Sequence, residues 1–209
     1  MSVPLLTPFY FGSVEHYRLL AHHPRVVIDL GEHYERQSYR NRTSIMGPNG
    51  RQELVAQIAR RSGAKMPVGT VGLSYEERWP QQHVHAIRSA YGQTPWFIHF
   101  IDEVEAVVLM KYDRLVDLDL ATMRLAMKWL GLRTEIVLSE TYVDATEAHL
   151  DLRTALHPKR PLPTSIDPVG PYPQVFADRH GFISRLSILD LVCNCGRDSR
   201  RFVLEGMRS

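Results

Sequence analysis

Features that would assign the protein to a specialised class are scarce in its sequence. Its 209 residues include two cysteines, Cys193 and Cys195, and a single residue separates them, which does not suit the disulfide framework of a small secreted protein. No run approaches the roughly 18 apolar residues that a membrane helix needs. The first residues also lack the basic and then apolar layout of a signal peptide. We therefore expect a cytoplasmic protein that does not insert into a membrane.

A surplus of charge is also missing. The chain has 25 lysines and arginines against 23 aspartates and glutamates, so its formal net charge is +2. Proteins that attract nucleic acid through their overall field carry a larger basic excess or a repeated pattern of aromatic and basic residues. We therefore expect no nucleic-acid partner, and any anion-binding site has to be local.

The motifs of several common enzyme classes are absent as well. The sequence has no G-x-S-x-G, G-x-x-x-x-G-K-[ST] or H-E-x-x-H pattern, and no G-x-G-x-x-G follows a predicted strand. These absences disfavour serine hydrolases, P-loop enzymes, zinc proteases and Rossmann dehydrogenases. Soft metal ligands occur at His22-His23, His83-x-His85 and Cys193-x-Cys195, but none has the C-x₂-C spacing of a zinc finger or ribbon. We expect neither a metal nor a cofactor.

What is present is the composition of an ordinary globular domain, with 44% hydrophobic and 23% charged residues. The β-branched run from Val26 to Leu30 predicts a buried strand, and the run from Thr134 to Leu138 predicts another. The turn Gly47-Pro48-Asn49-Gly50 predicts a β-hairpin. We therefore expect one α/β or α+β domain over residues 1–209, with a small sheet that includes the hairpin and several packed helices.

Helical spacing covers much of the remaining chain. Apolar residues recur at helical intervals from Gly12 to Ala21 and from Trp79 to Tyr91. Six prolines between Pro158 and Pro173 predict a connector without regular structure, and residues 60–69 are expected to form an exposed loop. The other predicted helices are one that opens at Pro95, one capped by Asp119 and ended by Gly131, one from Thr146 to Leu156, and two that follow Ser187 and Asp198.

The segment from Glu32 to Arg42 is unusually dense in polar chemistry, and it follows the first buried strand. Arginine holds phosphate or carboxylate groups through its planar fork, while acids, imidazoles and phenols transfer protons. The alternative interpretation is a solvated edge strand whose charges alternate with buried tyrosines. On the functional interpretation the predicted catalytic residues are Glu32, His33 and Tyr34, and the predicted substrate-binding residues are Arg36, Gln37, Arg40, Asn41 and Arg42.

A second candidate group lies on the helix that begins at Trp79. His83 follows Trp79 by one turn and lies on the apolar stripe that also carries Tyr91. Apolar neighbours keep an imidazole neutral, as a general base requires. We therefore predict His83 as the catalytic base and Trp79 and Tyr91 as substrate contacts. The alternative is a core histidine that hydrogen-bonds a carbonyl group, which explains the same spacing.

Short pieces along the chain form a series that is specific when taken together. They are Thr7-Pro8-Phe9-Tyr10-Phe11-Gly12, the VVIDL strand, Tyr34 to Arg42, the Gly47 to Gly50 turn, Leu73-Ser74-Tyr75, Trp79 with His83, Ala86 to Tyr91, Asp151-Leu152-Arg153, His157-Pro158-Lys159, Tyr172 to Phe176, His180-Gly181-Phe182, and Leu186 to Leu191 followed by Asn194. The series resembles the WbqC-like protein family. The sequence departs from the family pattern at Val84, where an aromatic residue usually follows the histidine, and at Cys193, Cys195 and Arg197, so the cysteines are peculiar to this chain.

The resemblance implies a function in carbohydrate metabolism. Members of the family are associated with gene clusters for O-antigen and other surface polysaccharides, and transfer of glycine or another aminoacyl group to a sugar has been suggested for them. The implied partners are an activated acyl donor, presented free or on a carrier protein, and a saccharide or amine acceptor.

Such an amide-forming reaction needs a base for the amine and hydrogen-bond donors for the oxyanion. His83 fits the first requirement, and Asn41, Arg42 or Gln174 the second. The alternative function is a non-catalytic protein that binds a sugar nucleotide, a carrier domain or a biosynthetic partner through the same arginines.

Overall fold

A computed structural model describes residues 2–59 and 66–205. Helices and strands alternate along the chain, with short 3-10 turns at Val68–Thr70, Phe97–His99 and Gly196–Asp198. In chain order the elements are β1 (Val3–Leu6), α1 (Val14–Ala21), β2 (Arg25–Asp29), β3 (Arg42–Gly47), β4 (Gly50–Val55), α2 (Trp79–Tyr91), α3 (Ile101–Leu109), α4 (Leu115–Leu130), β5 (Glu135–Ser139), β6 (His149–Asp151), α5 (Ala177–His180), α6 (Ile188–Cys195) and α7 (Ser199–Leu204).

Four strands form a parallel sheet in the order β5-β2-β1-β6. In its register Leu5 lies opposite both Val27 and Asp151, and Asp29 lies opposite Ser139. Because all four strands run in the same direction, their carboxyl ends meet at one edge. The loops that leave those ends therefore share one surface of the molecule.

The predicted hairpin is confirmed, but it forms a two-stranded sheet of its own rather than part of the larger sheet. Strands β3 and β4 pair antiparallel, and Gly50 at the turn has a φ of +103°, a conformation that glycine adopts without strain. The Tyr91 hydroxyl accepts a 3.1 Å hydrogen bond from the Met46 N–H, which joins the hairpin to α2. The predicted single mixed α/β domain is thus confirmed.

The long helix α4 supplies much of the core. Its buried face includes Leu118, Met123 and Ala126, and it ends at Gly131, whose φ of +61° closes the helix in the left-handed region. The predicted end is confirmed, but the predicted N-cap is wrong. The helix already begins at Leu115, so Asp119 lies inside it, fully buried.

Two other predictions need correction. The predicted helix from Thr146 to Leu156 is wrong, because His149–Asp151 form β6, whose pairing with β1 outweighs the local helical pattern. In the loop predicted at residues 60–69, residues 60–65 lie outside the described part of the chain. Val68 and Gly69 are buried rather than exposed.

The proline-rich connector and the cap of α6 are confirmed. Residues 158–173 contain neither helix nor strand. The Ser187 side chain accepts a hydrogen bond from the Leu189 N–H at the start of α6. None of the described helices combines the length and the apolar character needed to span a bilayer.

Gly31 is the position where the fold tolerates no side chain. A Cβ there would lie 1.9 Å from the Tyr142 nitrogen and 2.2 Å from the Thr141 carbonyl carbon, whereas nothing lies within 4 Å of a Cβ at Gly170. We expect Gly31→Ala to lower the free energy of unfolding by about 1–3 kcal/mol or more, because backbone atoms must move apart. Gly170→Ala, the control, should change it little. Equal urea midpoints for the two variants would contradict this packing.

Candidate functional site

The carboxyl edge of the parallel sheet is built around a buried carboxylate, Asp29, the last residue of β2. It is 0% exposed, and its Oδ1 accepts hydrogen bonds from the backbone N–H groups of Gly31 and Glu32 at 2.9 and 3.1 Å. Its Oδ2 accepts from the Val143 N–H at 3.1 Å and pairs with the Arg153 guanidinium. Asp29 therefore fastens the loops that follow β2, β5 and β6 to one point.

Arg153 completes this attachment from the loop after β6, an outer strand of the sheet. It follows β6, and its guanidinium donates to Asp151 and to the Val143 carbonyl oxygen besides Asp29. Its guanidinium carbon also lies 4.6 Å from the centre of the Tyr142 ring. The hydrogen bonds from Arg153 lower the pKa of Asp151. Arg153 is thus saturated by protein groups and acts as a structural crosslink.

A second buried arginine, Arg40, organises the loop after β2. It is 1% exposed, and its Nε and Nη2 donate to Glu32 Oε1 at 3.1 and 2.6 Å. Its Nη1 lies 3.4 Å from Glu35 Oε2. Burial raises the pKa of Glu32, while Arg40 acts in the opposite direction. Because Arg40 is enclosed by glutamates, the geometry favours a positioning role for it over direct contact with a substrate.

Glu35 connects the buried Arg40 to the surface of the protein. Its side chain is 31% exposed, its Oε1 lies 3.8 Å from His157 Nε2, and it pairs with Arg160. His157 is buried, and its Nδ1 accepts a 3.1 Å hydrogen bond from the Lys159 N–H. Burial and the neighbouring Arg160 lower the pKa of His157. We call the group formed by Asp29, Glu32, Glu35, Arg40, Arg153 and His157 the carboxyl-edge cluster.

Two residues with a strained backbone contact the loop that carries His157. Among the described residues, the non-glycine residues with positive φ are Phe11 (+40°), Gln37 (+58°) and Arg185 (+62°). Gln37 accepts a hydrogen bond from Lys159, and Arg185 donates to the carbonyl oxygens of His157 and of the nearby Arg160. Such conformations are costly and occur preferentially where a functional geometry has to be held.

Tyr34 and His33 differ in their environment although they are neighbours in sequence. Tyr34 is half-buried, and its pKa is raised to about 12, first by burial and then by the Asp119 carboxyl group, with Arg42 and Arg40 acting in the opposite direction. At neutral pH its hydroxyl therefore keeps its proton and can donate a hydrogen bond. His33 is exposed and pairs through its backbone with Pro67.

The remaining predicted residues of this segment also divide between inside and outside. Arg36 and Gln37 are exposed, whereas Asn41 is buried and its amide nitrogen donates to the Ala56 carbonyl oxygen at 3.0 Å. Asn41 thereby holds the end of the hairpin. Arg42 is half-buried and its Nη1 lies 3.8 Å from Glu53. The segment is therefore neither a plain edge strand nor a continuous binding surface.

His83 lies in an aromatic part of the core. It is 4% exposed, and its Nδ1 shares a 3.0 Å hydrogen bond with the Tyr10 hydroxyl. The Trp79 ring lies 5.0 Å away, and Tyr75 stacks on Trp79. Burial lowers the pKa of His83 to about 4, while a hydrogen bond to the Val55 backbone acts in the opposite direction. The imidazole is therefore neutral at pH 7, as the sequence indicates, but enclosed, and its role as a base stays a prediction.

Gln174 belongs to a third group. Its amide nitrogen donates to Asp190 Oδ2 at 2.9 Å and to the Ile183 carbonyl oxygen at 2.8 Å, and its amide oxygen accepts from the Ile183 N–H. The Tyr172 hydroxyl also donates to Asp190 Oδ2, at 2.8 Å. Gln174 thus fixes the connector to α6. The structure shows no contact between it and the carboxyl-edge cluster in the described residues.

The cysteines fit an inert role. Cys193 and Cys195 are both buried free thiols, and burial raises the pKa of Cys195 to about 12, so neither a thiolate nor easy access is present. Within residues 2–59 and 66–205, no three histidine, cysteine, aspartate or glutamate side chains are grouped so that they could hold a metal ion.

Sequence reasoning did not single out Glu35, Arg153 or His157. Arg153 and His157 lie within pieces of the series that resembles the WbqC-like family, which was the available signal. Their importance depends on the pairing of β6 with β1, and a three-residue strand leaves almost no periodic pattern.

These features define a mixed α/β protein with a charged cluster at the carboxyl edge of a parallel sheet, the position where open α/β sheets bind ligands. The sequence model of the WbqC-like protein family matches residues 8–170, and the chain therefore belongs to that family. The matched region contains the whole carboxyl-edge cluster. No curated protein and no solved structure matches the chain.

The buried ion pair between Arg153 and Asp29 should dominate stability at this edge. Arg153→Met removes the cation and leaves Asp29 buried without a partner charge, so we expect a loss of about 3–5 kcal/mol in the free energy of unfolding. Arg25→Met is the matched control, because Arg25 and Glu135 are exposed and 3.6 Å apart. That variant should lose less than about 1 kcal/mol. Similar losses in urea denaturation would show that the buried pair is not special.

His83 should also make stability depend on pH. Its pKa is about 4 in the folded protein and 6.5 in its ordinary state. As the pH falls, the imidazole is therefore protonated in the unfolded chain before it is protonated in the folded protein. Relative to His83→Phe, the wild type should keep its full stability above about pH 6.5. It should lose about 1.4 kcal/mol per unit as the pH falls from there to about 4. Taking the difference between the two proteins cancels the titration of the buried carboxylates. A constant difference across this range would place His83 in contact with water.

Proposed function

We propose that the chain is an acyl or aminoacyl transferase that acts on a saccharide precursor in the biosynthesis of O-antigen or another surface polysaccharide. The proposal rests on membership of the WbqC-like family and on one observation in particular. Glu35 is a partly exposed carboxylate that the buried Arg40 and the exposed Arg160 hold at the carboxyl edge of the sheet, where open α/β sheets bind ligands. The reaction would take place in the cytoplasm, where activated donors are made.

The chemistry assigned to this edge is the formation of an amide or ester bond. The acceptor nitrogen or oxygen attacks the carbonyl carbon of the activated donor, a base removes the proton of the acceptor, and the donor's leaving group departs with the electrons of the broken bond. Glu35 is suited to remove the proton, since Arg40 and Arg160 hold it in place. Tyr34, half-buried and next to Glu35 in sequence, is the hydroxyl donor proposed for the oxyanion.

Exposed cations on the loop that carries Glu35 and on the loop after β6 suit the phosphate groups of a sugar nucleotide, an acyl-adenylate or a carrier's thioester arm. Arg36 is exposed and follows Glu35 in sequence. From the loop after β6, Arg160 pairs with Glu35 and Lys159 donates to Gln37. Arginine binds phosphate through two parallel hydrogen bonds. These three side chains replace Arg40 as the groups best placed to touch a substrate.

One observation favours the alternative of a non-catalytic binding protein. The Nδ1 atom of His83 is hydrogen-bonded to the Tyr10 hydroxyl, and that of His157 accepts a hydrogen bond from the Lys159 N–H. One ring nitrogen of each imidazole is therefore already occupied by a protein group. A binding protein for a sugar nucleotide, carrier domain or biosynthetic partner would use Arg36, Lys159 and Arg160 in the same way without any proton transfer.

A direct assay separates the two functions. Purified protein is mixed with glycyl thioesters or acyl-adenylates and with amino-sugar nucleotides, and product mass is followed. We expect Glu35→Gln to lower kcat/KM by at least about 100-fold, since it removes the base but keeps the shape. The control Glu147→Gln changes an exposed glutamate elsewhere and should leave turnover unchanged.

Two outcomes would redirect the assignment. Loss of turnover in a folded His83→Ala variant, with turnover retained in Glu35→Gln, would return the role of base to His83. If sugar nucleotides at 100 times their Kd stabilise the fold by about 2.7 kcal/mol but no donor is ever consumed, the protein binds rather than catalyses.

A further inference from the structure

A hollow lined by aromatic rings lies away from the carboxyl-edge cluster. Its volume is about 370 Å³, within the range of small-molecule sites, and its lining residues are Trp96, His99, Phe100, Trp129, Gly196 and Arg197. It is located beyond the C-terminal end of α6. The other end of that helix begins at Ser187, whose hydroxyl donates to the Phe11 carbonyl oxygen in the loop after β1. Eight helical residues separate the two ends by about 12 Å, and none of the lining residues belongs to the carboxyl-edge cluster, so the hollow is a different site.

The walls of the hollow are fixed in place. A Cβ on Gly196 would lie 2.2 Å from the Trp96 ring, so this ring rests directly on the glycine backbone, whose φ of +54° also favours glycine. The backbone N–H of Trp96 donates to the Cys193 carbonyl oxygen at 3.2 Å. Phe100 and Trp129, which also line the hollow, pack edge to face with ring centres 5.1 Å apart. The site is therefore preformed, and its flat surfaces suit a flat ligand.

One charged side chain at this site has no partner in the part of the chain that the structure describes. Arg197 is exposed, and its guanidinium makes neither an ion pair nor a hydrogen bond there, whereas the exposed Arg88 and Arg114 pair with Glu105 and Asp117. No acidic side chain lines the hollow. His99 is the other ionisable group, and its ring lies 5.7 Å from that of Trp96. The electrostatic preference is therefore for an anionic group next to an aromatic surface.

We propose that this hollow binds a small molecule with a planar aromatic ring and an anionic substituent, such as a nucleoside monophosphate. The ring lies against the Trp96 and Trp129 indoles, since bases stack on aromatic side chains regardless of their identity. The anionic group pairs with the Arg197 guanidinium through charge-assisted hydrogen bonds. The site is independent of the proposed transferase activity and serves as an effector or docking position for such a ligand.

Tryptophan fluorescence provides the test, because two of the three tryptophans of the chain line the hollow. Adenosine monophosphate is titrated into the full-length protein, with adenosine as the probe that lacks the charge, ribose phosphate as the one that lacks the ring, and octanoate as an aliphatic anion. We expect saturable quenching by adenosine monophosphate, binding at least about tenfold weaker for adenosine, and no quenching by the other two.

Variants locate the binding. Arg197→Ala changes an exposed side chain and should not disturb folding. We expect it to weaken the binding of adenosine monophosphate by at least about tenfold. Arg124→Ala removes an exposed arginine from α4 outside the hollow and should leave the affinity unchanged. The proposal is overturned if adenosine monophosphate fails to bind at millimolar concentration, if both arginine variants behave alike, or if octanoate binds more tightly than the nucleotide.

Discussion

The ion pair between Asp29 and Arg153 is the interaction on which the carboxyl edge depends. It joins the end of β2 to the loop after β6 across 124 positions of sequence, and both side chains are almost fully buried. Buried charges remain stable only when they are paired and their remaining hydrogen-bonding sites are satisfied. The backbone N–H groups of Gly31 and Val143 meet that requirement at Asp29. The loops that carry Glu35 and His157 are thereby held in one arrangement.

Features with a local cause could be predicted from the sequence. The helical spacing from Trp79 placed His83 on the buried face, and the Asn49-Gly50 turn located the hairpin. Strand β6 could not be found this way, because its three residues acquire their structure from pairing with β1. Asp119 resembles an N-cap in sequence, yet α4 starts a turn earlier and buries it. Elements with a local pattern could thus be predicted from the sequence, and the pairings between distant segments could not.

The same distinction explains the candidate site. The density of polar residues from Glu32 to Arg42 was a valid signal for the region, but sequence does not reveal which arginine meets a glutamate and which meets water. Arg40 turned out to be enclosed, while Arg36 is exposed. Glu35 acquires its place from Arg40 in its own loop and from His157 and Arg160, which are more than a hundred residues away. A local pattern could therefore indicate the segment but not the roles of its members.

The arrangement around Glu35 has a consequence for the proposed reaction. The Glu35 carboxylate is firmly held, because Arg40 contacts one of its oxygens and Arg160 contacts the other. The Arg160 side chain is about half exposed and can turn toward a substrate phosphate, whereas Arg40 is buried and remains in contact with Glu35. Binding of that phosphate would draw Arg160 away from Glu35 and expose the carboxylate oxygen that Arg160 contacts. Recognition of the anion would then prepare the carboxylate for proton transfer, which links the exposed arginines and the buried network in one mechanism.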